Sequence, residues 1–147
     1  MPEPDLSVVF PVYDEEENLP ILLREIAAAL EGKGWSYEVV AVDDGSTDRS
    51  LEVLHELRAS HPTLRVLALE TNSGQTAALD AAWRAARGRL VVSLDADLQN
   101  DPADIPRMVE ELERSGVDMV ILATPPGFRP GLASPCSIAW MRTLLTQ

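Results

Sequence analysis

Four times in succession a short β-branched run gives way to a polar turn and then to apolar residues at helical spacing. That alternation admits little besides a mostly parallel sheet covered by helices. The predicted strands are residues 6–12, 37–42, 64–69 and 90–94, with 117–122 as a fifth. After Asn18, a predicted N-cap with Pro20 just inside, Leu19, Leu22, Leu23, Ile26 and Leu30 share one helical stripe. Leu51, Leu54 and Leu57 mark a second helix, Leu79, Ala82, Trp83 and Ala86 a third, and Ile105, Met108, Val109 and Leu112 a fourth. Beyond Asp118 the character changes: the last 29 residues hold no Asp or Glu, and four prolines fall between Pro125 and Pro135. The expected division is an α/β domain over residues 1–122 and a divergent Pro-rich tail over 123–147, where Ile138, Met141 and Leu145 predict a short helix.

With 147 residues, 46% of them hydrophobic, the chain can bury one ordinary core but not two. A formal net charge of -12 and a single lysine, Lys33, argue against a nucleic-acid partner, which is held through clustered Lys and Arg. A polyanionic ligand then needs a bridging cation. No apolar run approaches the roughly 18 residues that cross a bilayer. The N-terminus Met-Pro-Glu-Pro-Asp has neither the basic start nor the apolar stretch of a secretion signal, so the expected compartment is the cytoplasm. Cys136, the one cysteine, has no nearby basic partner and reads as structural, not as a nucleophile.

Ligands of an open parallel sheet bind where strands end at their carboxyl edge. Here those ends are crowded with acids: Asp14 to Glu17 after the first strand, Asp43, Asp44 and Asp48 after the second, Asp95, Asp97 and Asp101 after the fourth. Capping and the helix dipole account for acids such as Glu16, Glu17, Asp48 and Asp101. They do not account for Asp95 and Asp97, which follow the apolar run Leu90-Val91-Val92-Ser93-Leu94 and, in extended backbone, point the same way. Two carboxylates aimed at one spot repel unless a cation sits between them or one takes a proton. Oxygen ligands at that spacing suit Mg²⁺ or Mn²⁺, with Gln99 as a neutral donor and open positions for phosphate oxygens. No P-loop is present, and no Gly-x-Gly-x-x-Gly follows the first strand, where Phe10-Pro11-Val12-Tyr13 stands instead. His55 and His61 fall in the second helix and the loop after it, away from the acidic edge.

Four ordered motifs then combine: Phe10-Pro11-Val12-Tyr13-Asp14-Glu15 in the first βα unit, Val42-Asp43-Asp44-Gly45-Ser46-Thr47-Asp48, Asn72-Ser73-Gly74, and Asp95-Ala96-Asp97-Leu98-Gln99-Asn100-Asp101-Pro102. Over residues 6 to 121 the chain resembles family 2 glycosyltransferases, in the branch of dolichyl-phosphate mannosyltransferase and bacterial undecaprenyl-phosphate glycosyltransferases. The resemblance implies a GT-A fold, a Rossmann-like nucleotide-binding domain with a mostly parallel sheet and helices on both faces. It also implies a nucleoside-diphosphate sugar as donor. Pro11, Tyr13 and Glu15 match the loop that contacts the nucleotide, and Val42 and Asp44 match residues at its base and ribose. Asp95, Ala96, Asp97 and Gln99 match the nucleotide- and metal-binding stretch, with Asp95, Asp97 and Gln99 around the ion and Asp97 foremost in catalysis.

Where the family continues after the fifth strand with a glycine and an arginine, Val120 to Pro125 offer no cation, and the acceptor half lies outside the resemblance. The chain thus reads as a donor-binding half. A lipid-phosphate acceptor, with a second pKa of about 6, needs no general base. The resemblance implies a polyprenyl phosphate at the surface of the inner membrane as acceptor, and a bare sheet edge predicts a homodimer. Two rivals stand beside this reading. One keeps fold and ligand without turnover, as a binding module or inactive remnant. The other is a haloacid-dehalogenase-like phosphatase using Asp95 and Asp97, against which the pair follows the fourth strand and not the first.

Overall fold

The β-branched runs form strands where their pattern predicts them, and the sheet they build brings the acidic turns together. The computed structural model of the protein describes residues 2–122 and 138–142. Its strands are β1 (Leu6–Val12), β2 (Tyr37–Asp43), β3 (Leu64–Ala68), β4 (Leu90–Ser93), β5 (Ile121–Leu122) and β6 (Ile138–Arg142). Four helices, α1 (Leu19–Leu30), α2 (Ser50–Leu57), α3 (Gln75–Ala85) and α4 (Ile105–Ser115), alternate with them. The sheet runs β3-β2-β1-β4-β6-β5; β3, β2, β1 and β4 are parallel, while β6 pairs antiparallel with both β4 and β5.

Alternation along each strand decides which helix covers which face. Val8, Phe10 and Val12 of β1, with Val39 and Ala41 of β2, bury against Leu22, Leu23 and Ile26 of α1, Leu54 of α2 and Met108, Val109 and Leu112 of α4. The intervening residues Val9, Val40, Val42 and Val91 bury against Ala78 and Ala82 of α3. Helices therefore cover both faces, and the small side chains of α3 let it lie close to the sheet. Each Val, Leu or Ile so buried contributes roughly 1.5–3 kcal/mol.

At the amino edge of the strands a polar network sits on the α3 side. Ser7 and Glu38 face each other in register across β1 and β2, and the Ser7 hydroxyl donates to Glu38 at 2.7 Å. The Arg65 guanidinium and the Arg87 N–H each donate to the same carboxylate at 2.7 Å. Burial alone pushes this carboxyl up, but the hydrogen bonds from Ser7, Arg65 and Arg87 outweigh it and hold Glu38 below the usual glutamate range. The Gly88 N–H donates to Ser7 Oγ at 2.8 Å, and a Cβ on Gly88 would stand 2.5 Å from the Ser7 nitrogen, so only glycine fits.

Three expectations are corrected. Residues 138–142 form strand β6, not the helix that Ile138, Met141 and Leu145 suggest, because β4 offers an open row of backbone groups that a neighbouring strand satisfies; Leu145 lies outside the described residues. The fifth strand is only Ile121–Leu122. Asn18 does stand at the start of α1, but its side chain makes no capping bond and donates instead to Glu15 Oε2 at 2.6 Å.

Candidate active site at the carboxyl edge of the sheet

The turns after β1, β2 and β4 and the turn before α3 meet around a cavity of about 410 Å³. Pro11, Val12, Tyr13 and Glu15 line it from β1, Asp44 from β2, Asn72, Gly74 and Gln75 from the start of α3, and Asp95, Ala96 and Asp97 from beyond β4. Register explains the meeting, since Val12 lies opposite Asp43 and Val9 opposite Ser93. Continuing each strand by one or two residues delivers the acids to the same level.

The β1 and β2 turns are laced together by their own polar groups. Asp14, at φ +52, accepts from the Thr47 N–H at 2.7 Å, the Thr47 hydroxyl at 3.0 Å and the Asp48 N–H at 3.2 Å, while its own N–H donates to Ser46 Oγ. These bonds compensate the strain of a left-handed aspartate and fix the path of Tyr13 and Glu15. The Glu15 N–H donates to the buried Ser50 hydroxyl at 2.8 Å. Burial pushes the Glu15 carboxyl up, the Asn18 amide pulls it down, and the charges of Asp97, Asp48 and Asp14 push it up again, so it stands above the usual glutamate range.

Asp44 is almost fully buried, and its two oxygens accept from the Ser73 N–H at 2.7 Å and the Gly74 N–H at 3.0 Å. Gly45 lets the β2 turn approach this segment: at φ +70, a Cβ there would come within 2.6 Å of the Asn72 nitrogen. Asp43, also buried, accepts from the Ser46 N–H through Oδ2, while Oδ1 has no hydrogen-bond partner among the described residues.

The Asp95-Ala96-Asp97 segment is a turn, not extended strand, since β4 ends at Ser93. Both carboxylates still reach the cavity, because the turn is held from within. Asn100 Oδ1 accepts from the Asp95 N–H at 3.0 Å, and Asp97 Oδ1 accepts from the Gln99 N–H at 3.1 Å. Leu98 takes φ +63 and packs against the main core, anchoring the turn. The Gln75 side chain donates to Asp95 Oδ1 at 2.9 Å.

Of the residues singled out in the sequence, Pro11, Tyr13, Glu15, Asp44, Asp95, Ala96 and Asp97 line one cavity. Val42 is buried against α3, and Gln99 meets Asp97 through its backbone; neither is among the lining residues. Gln75 was missed, for a neutral side chain at a helix start carries no signal of its own. Among the described residues four carboxylates line the cavity and no Lys, Arg or His does. Among the described residues no group of three His, Cys, Asp or Glu is placed to cage a metal. Two carboxylates beside open space are nonetheless a fitting donor set for a hard cation that completes its shell with water and phosphate oxygens.

Comparison with known proteins bears on family and fold. The family described as Glycosyl transferase family 2 matches residues 7–134. An undecaprenyl-phosphate 4-deoxy-4-formamido-L-arabinose transferase of Edwardsiella ictaluri is 49% identical over 117 residues, covering 78% of this chain and 35% of the relative. A dodecaprenyl-phosphate galacturonate synthase of Rhizobium johnstonii is 43% identical over 118 residues, covering 80% of this chain and 35% of the relative. The chain thus spans about a third of the length of these relatives. In fold it is similar to the mannosyltransferase PcManGT of Pyrobaculum calidifontis, solved with GDP-Man and Mn²⁺. The TM-score is 0.76 at 24% identity, over 97% of this chain and 45% of the other.

Proposed function

The chain belongs to glycosyl transferase family 2, and from that premise we propose that it is the donor-binding part of an enzyme that moves a sugar from a nucleoside diphosphate to a polyprenyl phosphate. The observation that carries this reading is the cavity at the carboxyl edge, lined among the described residues by four acids and by no Lys, Arg or His. Among the described residues such a site offers no positive charge with which to hold a diphosphate, which supports a ligand that arrives with a divalent cation.

Asp95 and Asp97 would hold Mg²⁺ or Mn²⁺, with Gln99 reaching it through water. When bound, the cation supplies neutralisation of the charge that develops on the leaving diphosphate. Pro11, Tyr13 and Glu15 form the wall along which the nucleotide lies, and Asp44 with Val42 behind it shapes the end that takes base and ribose. Tyr13 is half exposed and offers an aromatic face to a base. The two relatives carry different sugars, 4-deoxy-4-formamido-L-arabinose and galacturonate, while both names contain a polyprenyl phosphate. The likeness therefore supports the acceptor class and leaves the sugar open. An acceptor phosphate is already an anion near neutral pH, so no carboxylate on this chain has to serve as its base. No helix among the described residues is long and apolar enough to cross a membrane; contact with a lipid acceptor would be made at the membrane surface. A homodimer through an exposed strand edge is part of the same proposal.

The test is a calorimetric titration of the chain with GDP-, UDP- and dTDP-sugars, each with and without Mn²⁺. Binding that requires the metal and prefers one nucleotide is the expected result. Equal binding with and without metal, or none, would overturn the donor-site reading.

A further inference from the structure

Gln75 stands where two halves of the cavity meet. It opens α3 directly after Gly74, and its side-chain Nε2 donates to Asp95 Oδ1 at 2.9 Å. The two residues before it, Ser73 and Gly74, give their N–H groups to the Asp44 carboxylate at 2.7 and 3.0 Å. A hydrogen-bonded path therefore runs from Asp44 at the end of β2, through the turn 73–75, to Asp95 beyond β4, passing over β1 on the way. The start of α3 cannot move independently of this path, because Ala78 and Ala82 seat the helix on the sheet.

The chemical type of the residue matters. An Arg or Lys at this place would pair with Asp95 and cancel the charge a cation needs. A glutamine orients the carboxylate through one oxygen and leaves its formal charge in place.

On the reading of the cavity given above, we infer that Gln75 is a positioning residue. It aims Asp95 at the cation and couples the nucleoside end of the site, at Asp44, to the cation and diphosphate end, at Asp95. Removing a partner that orients a metal-binding carboxylate typically weakens metal affinity about tenfold or more. Coupling between two ends of a site typically changes affinity by about fivefold or more.

The test compares the wild-type chain with Gln75→Ala, Asp44→Asn and the double variant. Each is titrated with the nucleotide sugar that wild type prefers, over a range of Mn²⁺ concentrations, and with the corresponding nucleoside in the absence of metal. Gln75→Ala is expected to weaken the Mn²⁺-dependent affinity about tenfold, to leave metal-free nucleoside affinity within about twofold, and to melt at the wild-type temperature. Asp44→Asn is expected to lower Mn²⁺ affinity in the wild-type background, with that effect reduced about fivefold or more in the Gln75→Ala background. If Gln75→Ala leaves Mn²⁺-dependent binding unchanged, or lowers nucleoside binding by the same factor, the positioning role is overturned. If the two effects simply multiply, the coupling is overturned; should Asp44→Asn fail to fold, Gly45→Ala, whose Cβ would press on the Asn72 nitrogen of the same turn, takes its place in the cycle. A wild-type chain without metal-dependent binding removes the donor-site reading itself, a failure distinct from the others.

Discussion

At the amino edge of the sheet Glu38 is met by Ser7, Arg65 and the Arg87 N–H, whereas at the carboxyl edge Glu15, Asp44, Asp95 and Asp97 surround a cavity that no basic side chain lines among the described residues. Both edges take carboxylates out of water, at a cost that must be met by partners. The amino edge supplies those partners from the chain and becomes a fastening. The carboxyl edge supplies backbone amides to Asp44 and orienting bonds to Asp95 and Asp97, and among the described residues no Lys, Arg or His lines its cavity. What separates the two edges, beyond their number of acids, is that a described guanidinium meets Glu38 while no described Lys, Arg or His lines the cavity.

The sharpest way to break this contrast is to delete one acid from each edge and measure urea unfolding. Glu38→Ala is expected to cost about 3 kcal/mol, since it leaves a part-buried Arg65 with only the Ala85 carbonyl and no carboxylate, and the buried Ser7 hydroxyl without its acceptor. Asp97→Ala is expected to lie within about 0.5 kcal/mol of wild type, because it relieves repulsion with Glu15 while losing only one local bond. Equal losses at the two sites would erase the distinction. In the binding assay the order reverses: Asp97→Ala should weaken Mn²⁺-dependent nucleotide-sugar binding about 100-fold, while any folded Glu38 variant binds as wild type does.

A smaller effect probes the backbone that carries the open site. Gly45→Ala places a Cβ 2.6 Å from the Asn72 nitrogen at φ +70, and is expected to cost about 2 kcal/mol and to weaken nucleotide binding as the 71–75 turn shifts. Binding at wild-type affinity would show that the turn is not part of the site.

The smallest effects are read against pH, where the two edges should carry opposite signs. Glu38 is held below its ordinary value of 4.5, so its contribution is present above that value and lost as pH falls through its lower folded value. Wild type should therefore lose its advantage over Glu38→Gln in acid. Glu15 is held above 4.5, so the stability it contributes is present below that value and lost as pH rises through its folded value. Glu15→Gln is then expected to be slightly more stable than wild type at neutral pH, and the gain should vanish in acid. Thermal melts of the two variants between pH 3 and 8 check both signs.

Much of this architecture was legible because it is local. The strands β1 to β4 and the stripes of α1 to α4 are written in periods of two and 3.6, and the acids at strand ends point to the binding edge. Strand β6 was not legible, because Ile138, Met141 and Leu145 fit a helical period and nothing nearby in sequence announces that β4 will need a neighbour. The extended Asp95-Ala96-Asp97 was misjudged for a related reason: β4 stops at Ser93, and the turn after it is held by Asn100 and Leu98, whose parts depend on the core below. Gln75 and the use of the Ser73 and Gly74 amides by Asp44 are likewise contacts across the fold.

The strand order β3-β2-β1-β4-β6-β5 also has a consequence in time. Among the described residues β5 pairs with the sheet through β6 alone, which comes later in the chain. During synthesis β1 to β4 can assemble as soon as they emerge, but the flank of β4 next to the binding edge stays open until residue 142 has left the ribosome. Throughout that interval a growing chain exposes an unpaired strand to its neighbours, which is where a chaperone would be needed most.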